Sequence, residues 1–305
     1  MSVACGSGVS YVVTETGYVW STGTDAEGQL GIGPTAKNEG WRHARDLRRL
    51  ETMSQEIVVM VAAGISVGSA HGALVTQKGG VWTWGNGEYG QLGHGDKENR
   101  YFPVQLDAQI FAGSLAVMVS CGNHHTLVLT AMQQVWSFGE GTRGQLGDGS
   151  QVRSKSMPTL VLCSAEDVDH SAGDMHKHLN NIVMVSSGEE HNIALGAEGL
   201  VWTWGHGRCG ELGHNATTSR LVAGLVDGKN WASSGGGGGC ASDAVDLLET
   251  DSVVMVAAGS HHTAAVMKSG ALYLWGSACH FQLGLTLLDS TGTDENSVFT
   301  IRYNI

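Results

Sequence analysis

Residues 122–147 read GNHHTLVLTAMQQVWSFGEGTRGQLG, and the frame of this stretch occurs five times in the 305-residue chain. In each copy a Gly is followed by a His three residues later, then by an aromatic residue, a Gly and a closing Leu-Gly at fixed distances; the first copy has Val9 in place of the His. Only the spacing between copies varies, which is typical of repeats that each fold as one unit with variable surface loops. The opening glycines are Gly6, Gly68, Gly122, Gly188 and Gly259, and the aromatics are Trp20, Trp82, Trp136, Trp202 and Tyr273.

Each copy contains four short apolar runs bounded by turn residues. In the third copy these runs are 117–120, 126–130, 135–138 and 158–162. Runs of about five aliphatic, β-branched and aromatic residues predict strands. A four-stranded antiparallel sheet cannot bury both of its faces alone, so the copies must stack on one another.

The repeat predicts an all-β chain with one domain over 1–305. Two architectures fit, a β-propeller of four-stranded blades and a linear β-solenoid, and the up-and-down strand pattern favours the propeller. We expect the third-strand aromatics to pack against the next blade and the repeated His to hold a turn by bonding to the backbone. The approximate repeats are 3–56, 57–113, 114–179, 180–250 and 251–305, with flexible inserts at 164–178 and 227–245.

Composition excludes several classes of function. The net charge of −12 argues against direct nucleic-acid binding, which needs clustered Lys and Arg. The first residues show no signal peptide, and no apolar run reaches the ~18 residues of a membrane span. The six cysteines form no Cys-x-x-Cys pair, so we expect free thiols in the cytosol or nucleus and no membrane association.

Two kinds of motif suggest cofactors, but their context does not support them. The stretches 85–90, 139–144 and 205–210 read GxGxxG, yet no helical pattern follows, so they are predicted to be turns rather than dinucleotide sites. Metal ligands must be held by ordered elements, which a polar insert does not supply. No Ser, Cys or carboxylate recurs at a fixed spacing from the repeated His, so no catalytic set is indicated. We therefore expect no metal, no cofactor and no catalytic residue. The metal-like residues in the insert are His170, Asp174, His176 and His178.

Several stretches resemble the repeats of the regulator of chromosome condensation family: 122–126, 135–139 and 144–148, and also 201–205 with 210–213 and 259–263. The resemblance covers nearly the whole chain and implies a β-propeller, typically of seven blades, that serves as a binding platform. Family members act as nucleotide exchange factors for Ran-type GTPases on chromatin, or as scaffolds in ubiquitin ligases, membrane traffic and light sensing.

This chain has five copies where the family has seven. That count predicts an open arc, a fragment of a seven-bladed ring, or a ring completed by a partner chain, with a closed five-bladed ring as the alternative. An open arc would expose unpaired strands at both ends, through which the chain could associate with itself.

The function that follows is a non-enzymatic propeller that presents its loops to protein partners. The variable part of the Gly-rich turn lies at one register in every copy, hence on one face, and differs between copies. The partner-binding candidates there are Glu88, Tyr89, Arg143, Arg208, His280 and Phe281.

The resemblance implies three alternatives. The first is an exchange factor or regulator for a Ran-like small GTPase, and the others are the propeller part of a ubiquitin ligase and a light sensor. Residues 40–43 read GWRH, similar to a light-sensing motif within the family, but they follow the first Gln-Leu-Gly instead of occupying the Gly-x-x-His position.

Overall fold

The computed structural model describes residues 2–6, 8–34, 43–53, 56–63, 70–164, 176–226, 251–284 and 299–304. These residues form five antiparallel sheets that follow one another along the chain as the blades of a propeller. The predicted all-β class and the propeller architecture are confirmed.

The strands succeed one another in chain order within each blade. Blade one contains β1 Ser2–Gly6, β2 Val9–Val13, β3 Val19–Thr24 and β4 His43–Arg49, and blade two contains β5 Val58–Ala63, β6 His71–Thr76, β7 Val81–Gly85 and β8 Arg100–Gln105. Blade three contains β9 Ala116–Cys121, β10 His125–Thr130, β11 Val135–Glu140 and β12 Ser154–Leu160, and blade four contains β15 Ile182–Ser187, β16 His191–Gly196, β17 Val201–Gly205 and β18 Arg220–Leu225. Blade five contains β19 Val253–Ala258, β20 His262–Met267, β21 Ala271–Gly276 and β22 Phe299–Asn304. Two short 3-10 helices, Glu51–Met53 and Ala108–Phe111, lie in connections between blades.

Blade four is wider than the repeat predicts. The strands β13, Leu162–Ser164, and β14, His176–His178, extend its outer edge, with β13 parallel to β18 at Cys163 and Ala223. The two ends of the predicted flexible insert 164–178 are therefore paired strand, because they supply an edge of the fourth sheet. The remaining residues of this insert, 165–175, and the whole second insert, 227–245, lie outside the described residues.

The core consists of four apolar clusters, one between each pair of consecutive blades. We call the face of a blade toward the preceding blade its leading face and the opposite one its trailing face. The second strands β6, β10 and β16 are buried at every residue, since both faces of blades two to four are covered.

The arc is open at both ends within the described residues. The second strands of the end blades, β2 and β20, are buried only at alternate residues. All four strands of each end blade pair within their own sheet, so the uncovered surfaces are sheet faces rather than the unpaired strands expected from the sequence.

In blades two to five the third-strand aromatics contact the preceding blade, not the next one as predicted. Trp136 meets Phe111, which follows blade two, edge to face at 5.8 Å between ring centroids. The fully buried aromatic is two residues further along the strand, as in Trp204, whose Nε1 donates to the Gln145 carbonyl of blade three at 3.1 Å. Because strand side chains alternate between faces, residues two apart both point to the leading face.

The repeated His also differs from its prediction, because its imidazole bonds to the next blade rather than to the local backbone. His125 Nε2 lies 2.7 Å from Asn192 Oδ1, and Asn192 Nδ2 donates to the Gln145 carbonyl at 2.8 Å. The ring also covers Gly122, where a Cβ would lie 2.0 Å from the imidazole, which explains why Gly precedes His in the frame. This interblade relay recurs from His71 to Thr126 to the Gln91 carbonyl, and from His191 to Thr263 to the Glu211 carbonyl.

Candidate functional site

Two sets of turns lie at the same end of every blade. His125 pairs with Gly139, so the turn before the second strand and the Gly-rich turn after the third strand are neighbours. Leu129 pairs with Val135, which places the turn between those two strands at the opposite end. We call the end that carries the Gly-rich turns the turn face, and the other the opposite face.

The side chain of the Gln-Leu-Gly motif fixes each Gly-rich turn. Gln91 Oε1 accepts a hydrogen bond from the backbone N–H of Tyr89 at 2.9 Å, and Gln145 Oε1 does the same for Arg143 at 2.8 Å. Blade five repeats the contact between Gln282 and His280 at 2.7 Å. Because the Gln is held inside the turn, the residues before it project from the turn face.

Blade four replaces this Gln by a buried carboxylate. Glu211 Oε2 accepts from the backbone N–H of Cys209 at 2.7 Å, and Glu211 Oε1 lies 2.6 Å from His206 Nδ1. Burial is the largest single influence on Glu211 and acts to raise its pKa, but the hydrogen bond from His206, the nearby His191 and a backbone hydrogen bond together lower the pKa of this carboxyl. The substitution therefore keeps the turn geometry, with His206 as its partner.

The six candidate residues lie on the turn face of blades two to five. Glu88, Arg143, Arg208 and His280 are exposed. Tyr89 is half-buried, because its ring stacks on His124 of the next blade with 4.5 Å between centroids and 22° between planes.

The sixth candidate, Phe281, differs from its counterparts. It occupies the position of Gly28, Gly90 and Gly144, with a φ of 57° that few residues other than Gly adopt. At Gly90 an added Cβ would lie 2.6 Å from the Cα of Ser156 in the next blade, so internal blades have no room for a side chain there. Phe281 is 60% exposed, which is compatible with its place on the last blade.

A group of carboxylates, which the sequence did not predict, surrounds the Tyr89–His124 stack, and we call it the acidic patch. Burial lowers the pKa of His124, and the nearby carboxylates act in the opposite direction. Glu189 also lies 3.2 Å from His261 Nε2 of blade five. The signal in the sequence was His124, the first His of the 122–126 stretch, which lies outside the frame. The patch consists of Glu88, Glu140, Glu189 and Glu190.

A cleft of about 650 Å³ opens on the turn face between blades one and two. Asn99 lines the cleft and links the two blades, donating to Glu27 Oε2 at 2.7 Å and accepting from the Gly87 backbone N–H at 2.9 Å. Acidic side chains outnumber basic ones in its lining, since Glu27, Glu88 and Glu98 face one lysine, Lys97. The cleft thus extends the acidic character of the turn face beyond the patch.

The other sequence motifs carry no site within the described residues. The three GxGxxG stretches end a strand and lead to another strand, so no helix begins at the third Gly. Among the described residues no three His, Cys, Asp or Glu side chains are grouped as a metal site needs, while His170 and Asp174 lie outside them. Of the GWRH stretch only His43, the first residue of β4, is described.

Two further findings concern the described residues as a whole. Cys5, Cys121, Cys163, Cys209 and Cys279 have free thiols. Neither 3-10 helix has the length or the apolar character that crossing a bilayer requires.

Comparison with known proteins places these features in a family. The model of the Regulator of chromosome condensation (RCC1) repeat matches residues 78–129 and 134–195, and a second model of the repeat matches 62–91, 117–145 and 182–211. The human E3 ubiquitin-protein ligase HERC2 is 32% identical over 286 residues, covering 92% of this chain and 5% of HERC2. The Ultraviolet-B receptor UVR8 of Arabidopsis thaliana is 28% identical over 285 residues, covering 93% of this chain and 54% of UVR8.

Among solved structures, Prp20p from Saccharomyces cerevisiae matches with a TM-score of 0.72 at 20% sequence identity, covering 99% of this chain and 64% of Prp20p. At this identity the match shows a shared fold. The chain therefore spans less than two thirds of the length of HERC2, UVR8 and Prp20p.

Proposed function

This chain belongs to the regulator of chromosome condensation repeat family, and we propose that it is a non-enzymatic interaction propeller whose turn face binds a basic segment of a protein partner. The observation that carries the proposal is the acidic patch, where carboxylates from blades two, three and four converge around His124. A Lys- or Arg-rich segment complements such a surface, and charge complementarity both steers association and rejects acidic partners.

The candidate residues supply the specificity of this face. Tyr89 is held rigid by its stack on His124, so little side-chain entropy is lost when a partner covers its free ring face. Arg143 and Arg208 are exposed on the Gly-rich turns of blades three and four. There they can pair with acidic residues that flank the basic segment, and a partner with that alternation of charge fits best.

The relatives are consistent with a partner of this kind. Prp20p is described as a protein with binding properties to Gsp1p and histones, and histones are basic proteins. We propose a basic partner for this chain as well, because its turn face is acidic and its net charge is −12. The cytosol or nucleus remains the proposed location, in agreement with the free thiols.

A binding experiment with a matched control tests the proposal. Fluorescence anisotropy of a labelled Lys/Arg-rich peptide is measured with wild type, with Glu140→Gln/Glu190→Gln on the turn face, and with Glu15→Gln/Glu198→Gln on the opposite face. Both double variants lose the same charge. We expect the turn-face variant to weaken binding about tenfold or more and the control to stay within about twofold. Equal weakening by both variants would mean general charge attraction and would refute the site.

A second measurement separates the candidate residues from the patch. Arg143→Ala and Arg208→Ala should each weaken capture of a folded protein partner without lowering the thermal unfolding temperature, because both side chains are exposed. Tyr89→Ala should also weaken capture, with a small loss of stability because it removes the interblade stack on His124. A nucleotide-release assay with a Ran-like GTPase tests the alternative role of exchange factor. Acceleration at micromolar concentrations of this chain would replace the scaffold proposal with exchange activity.

A further inference from the structure

The outer strand of a blade has one position at which its main chain faces away from the sheet. In blade two the N–H of Leu106 donates inward to the Val81 carbonyl of the third strand at 2.9 Å, and the equivalent residues of blades one, three and four do the same. Because N–H groups alternate in direction along a strand, the residue three positions earlier points its N–H outward. We call this the rim position, and in blades one to four it is occupied by Leu47, Pro103, Pro158 and Ala223.

Blade four shows that the rim position accepts a strand. There β13 runs parallel to β18 and pairs with it at Cys163 and Ala223, which is the rim position of that blade. Blades two and three have Pro103 and Pro158 instead, and no strand pairs with the outer edge of β8 or β12 among the described residues. Proline has no N–H to donate, so these two edges are closed to pairing at this position.

Blade one has a rim position of the open kind with no strand beside it. Leu47 supplies an N–H as Ala223 does, and β4 is the outermost strand of its sheet within the part of the chain that the structure describes. In blade four β13 reaches Ala223 although blade three packs alongside, with the Gly149 N–H bonded to the Leu221 carbonyl of β18. The edge is therefore approached from the outside of the propeller, whatever lies beside the faces of blade one.

The edge of blade one is also strongly basic, although the chain as a whole is acidic. Residues 42–49, most of which form β4, contain four of the 17 Lys and Arg residues and a single acidic residue, Asp46. Arg48 is exposed, and the Arg49 guanidinium lies 3.7 Å from the centre of the Tyr18 ring, which orients it. The outer strand of blade five, β22, has one arginine and pairs without the irregularity found in the other four blades.

We propose that β4 accepts an acidic, extended segment of a partner protein as an added strand of blade one, in the place that β13 takes beside β18. The Leu47 N–H donates to a main-chain carbonyl of this segment, and carboxylates of the segment pair with arginines of the edge, Arg48 among them. Main-chain bonds supply affinity in strand addition, and the side chains select the partner.

Charge and backbone chemistry favour this occupant over two others. A second copy of this chain would set two arginine-rich edges against each other, and like charges on adjacent strands repel. A nucleic acid offers phosphates to the arginines but has no strand to pair with the outward N–H of Leu47. An acidic protein segment satisfies both the charge and the main chain.

Two variants of the rim position test the main-chain contact. Leu47→Pro introduces the residue that blades two and three have there, and Leu47→Ala introduces the residue of blade four and keeps the N–H. Fluorescence anisotropy is measured with a labelled peptide of about ten residues in which Glu alternates with Val. We expect Leu47→Pro to weaken binding about tenfold or more and Leu47→Ala to stay within about threefold of wild type. Thermal unfolding checks that both variants are folded.

Two further measurements probe the charge and the edge without a proline. Arg48→Gln should weaken binding about threefold or more at low salt, whereas Lys78→Gln, which removes an exposed positive charge from the opposite face, should stay within about twofold. In hydrogen exchange the peptide should slow the amides of Leu47 and Arg49, which both point outward from β4. This readout uses wild type, so it holds even if Leu47→Pro does not fold.

Several results would overturn the proposal. They are no peptide binding at millimolar concentration, equal weakening by Leu47→Pro and Leu47→Ala, or an unchanged exchange rate of the Leu47 amide in the bound state. Self-association that Leu47→Pro abolishes would assign the edge to a second copy instead. An oligonucleotide that displaces the peptide and binds wild type and Leu47→Pro alike would assign it to nucleic acid. None of these measurements involves the turn face, so the outcome is independent of the proposed function.

Discussion

The main-chain carbonyl of Gln145 accepts two hydrogen bonds from the next blade, one from Asn192 at 2.8 Å and one from Trp204 at 3.1 Å. Glu211 repeats the arrangement with Thr263 at 2.7 Å and Trp275 at 2.9 Å. A carbonyl oxygen has two lone pairs, so both acceptor sites are filled. The Gln-Leu-Gly motif thus acts at its backbone as well as at its side chain.

A single hydroxyl tests the relay at the residue scale. Thr126 donates to the Gln91 carbonyl and therefore accepts from His71 Nε2–H, since a hydroxyl has one hydrogen. Thr126→Val keeps the shape but leaves two buried groups unpaired, and we expect a loss of about 2–3 kcal/mol in the free energy of unfolding by urea. Thr142→Val, on an exposed turn, should change it by less than about 0.5 kcal/mol. Similar values for both variants would contradict the role of the relay.

At the scale of the element, the end of the third strand depends on glycine for two reasons. Gly139 has a φ of 112°, and a Cβ there would lie 2.2 Å from the carbonyl oxygen of His124. The strand bulges at this point, between Ser137 and Gly139, and the Glu140 N–H then bonds to the His124 carbonyl at 2.8 Å. The close approach ties the two turns of the turn face together.

Two alanine substitutions separate backbone strain from collision. Gly113 has a φ of 77°, but a Cβ there would meet nothing within 4 Å. We expect Gly113→Ala to cost about 1 kcal/mol, from the left-handed backbone alone. Gly139→Ala adds a backbone clash and should cost about 3 kcal/mol or more. Thermal unfolding of the two variants measures the difference, and equal shifts would show that the clash is relieved by local movement.

At the scale of the whole molecule, the relays make the stacking of blades dependent on neutral imidazoles. Burial lowers the pKa of His125 and His191 to about 4 and that of His71 to about 3, from 6.5. Between these lowered pKa values and pH 6.5 the unfolded chain therefore binds more protons than the folded chain. The stabilisation is complete above about pH 6.5 and is lost as the pH falls toward the folded pKa values.

Acid should consequently weaken the propeller before most carboxylates titrate. Each of the three imidazoles contributes roughly 1.4 kcal/mol per pH unit within the window, so we expect a loss of roughly 3 kcal/mol between pH 7 and pH 5.5. Urea unfolding at a series of pH values measures this slope. His125→Gln should reduce the slope by about a third, whereas Thr142→Val, which removes no titrating group from an exposed turn, should leave it unchanged. A slope that is insensitive to His125 would place the effect elsewhere.

The strands and turns were predictable where the local pattern is strong. The run 81–84 is β7, Val81–Gly85, because its apolar residues face two covered sides. The outer strand of blade three was predicted at 158–162 but is Ser154–Leu160. Its polar residues Ser154 and Lys155 give little strand signal, since an outer strand faces solvent.

The candidate site was predictable only in part. The repeat predicted that the variable residues of the Gly-rich turns lie on one face, but it did not predict the stack of Tyr89 on His124 or the carboxylates around it. Tyr89 and His124 belong to different copies, and no local pattern reports which residues of two copies meet.

The strand content, the five blades and the glycines of each turn could be read from the residues alone, because these features depend on interactions within one copy. The stacked fold was needed to show which blade each aromatic contacts, which carbonyl each relay reaches, and which carboxylates form the acidic patch. Those contacts form when blades stack, between residues more than 30 positions apart in the chain, such as Thr126 and Gln91.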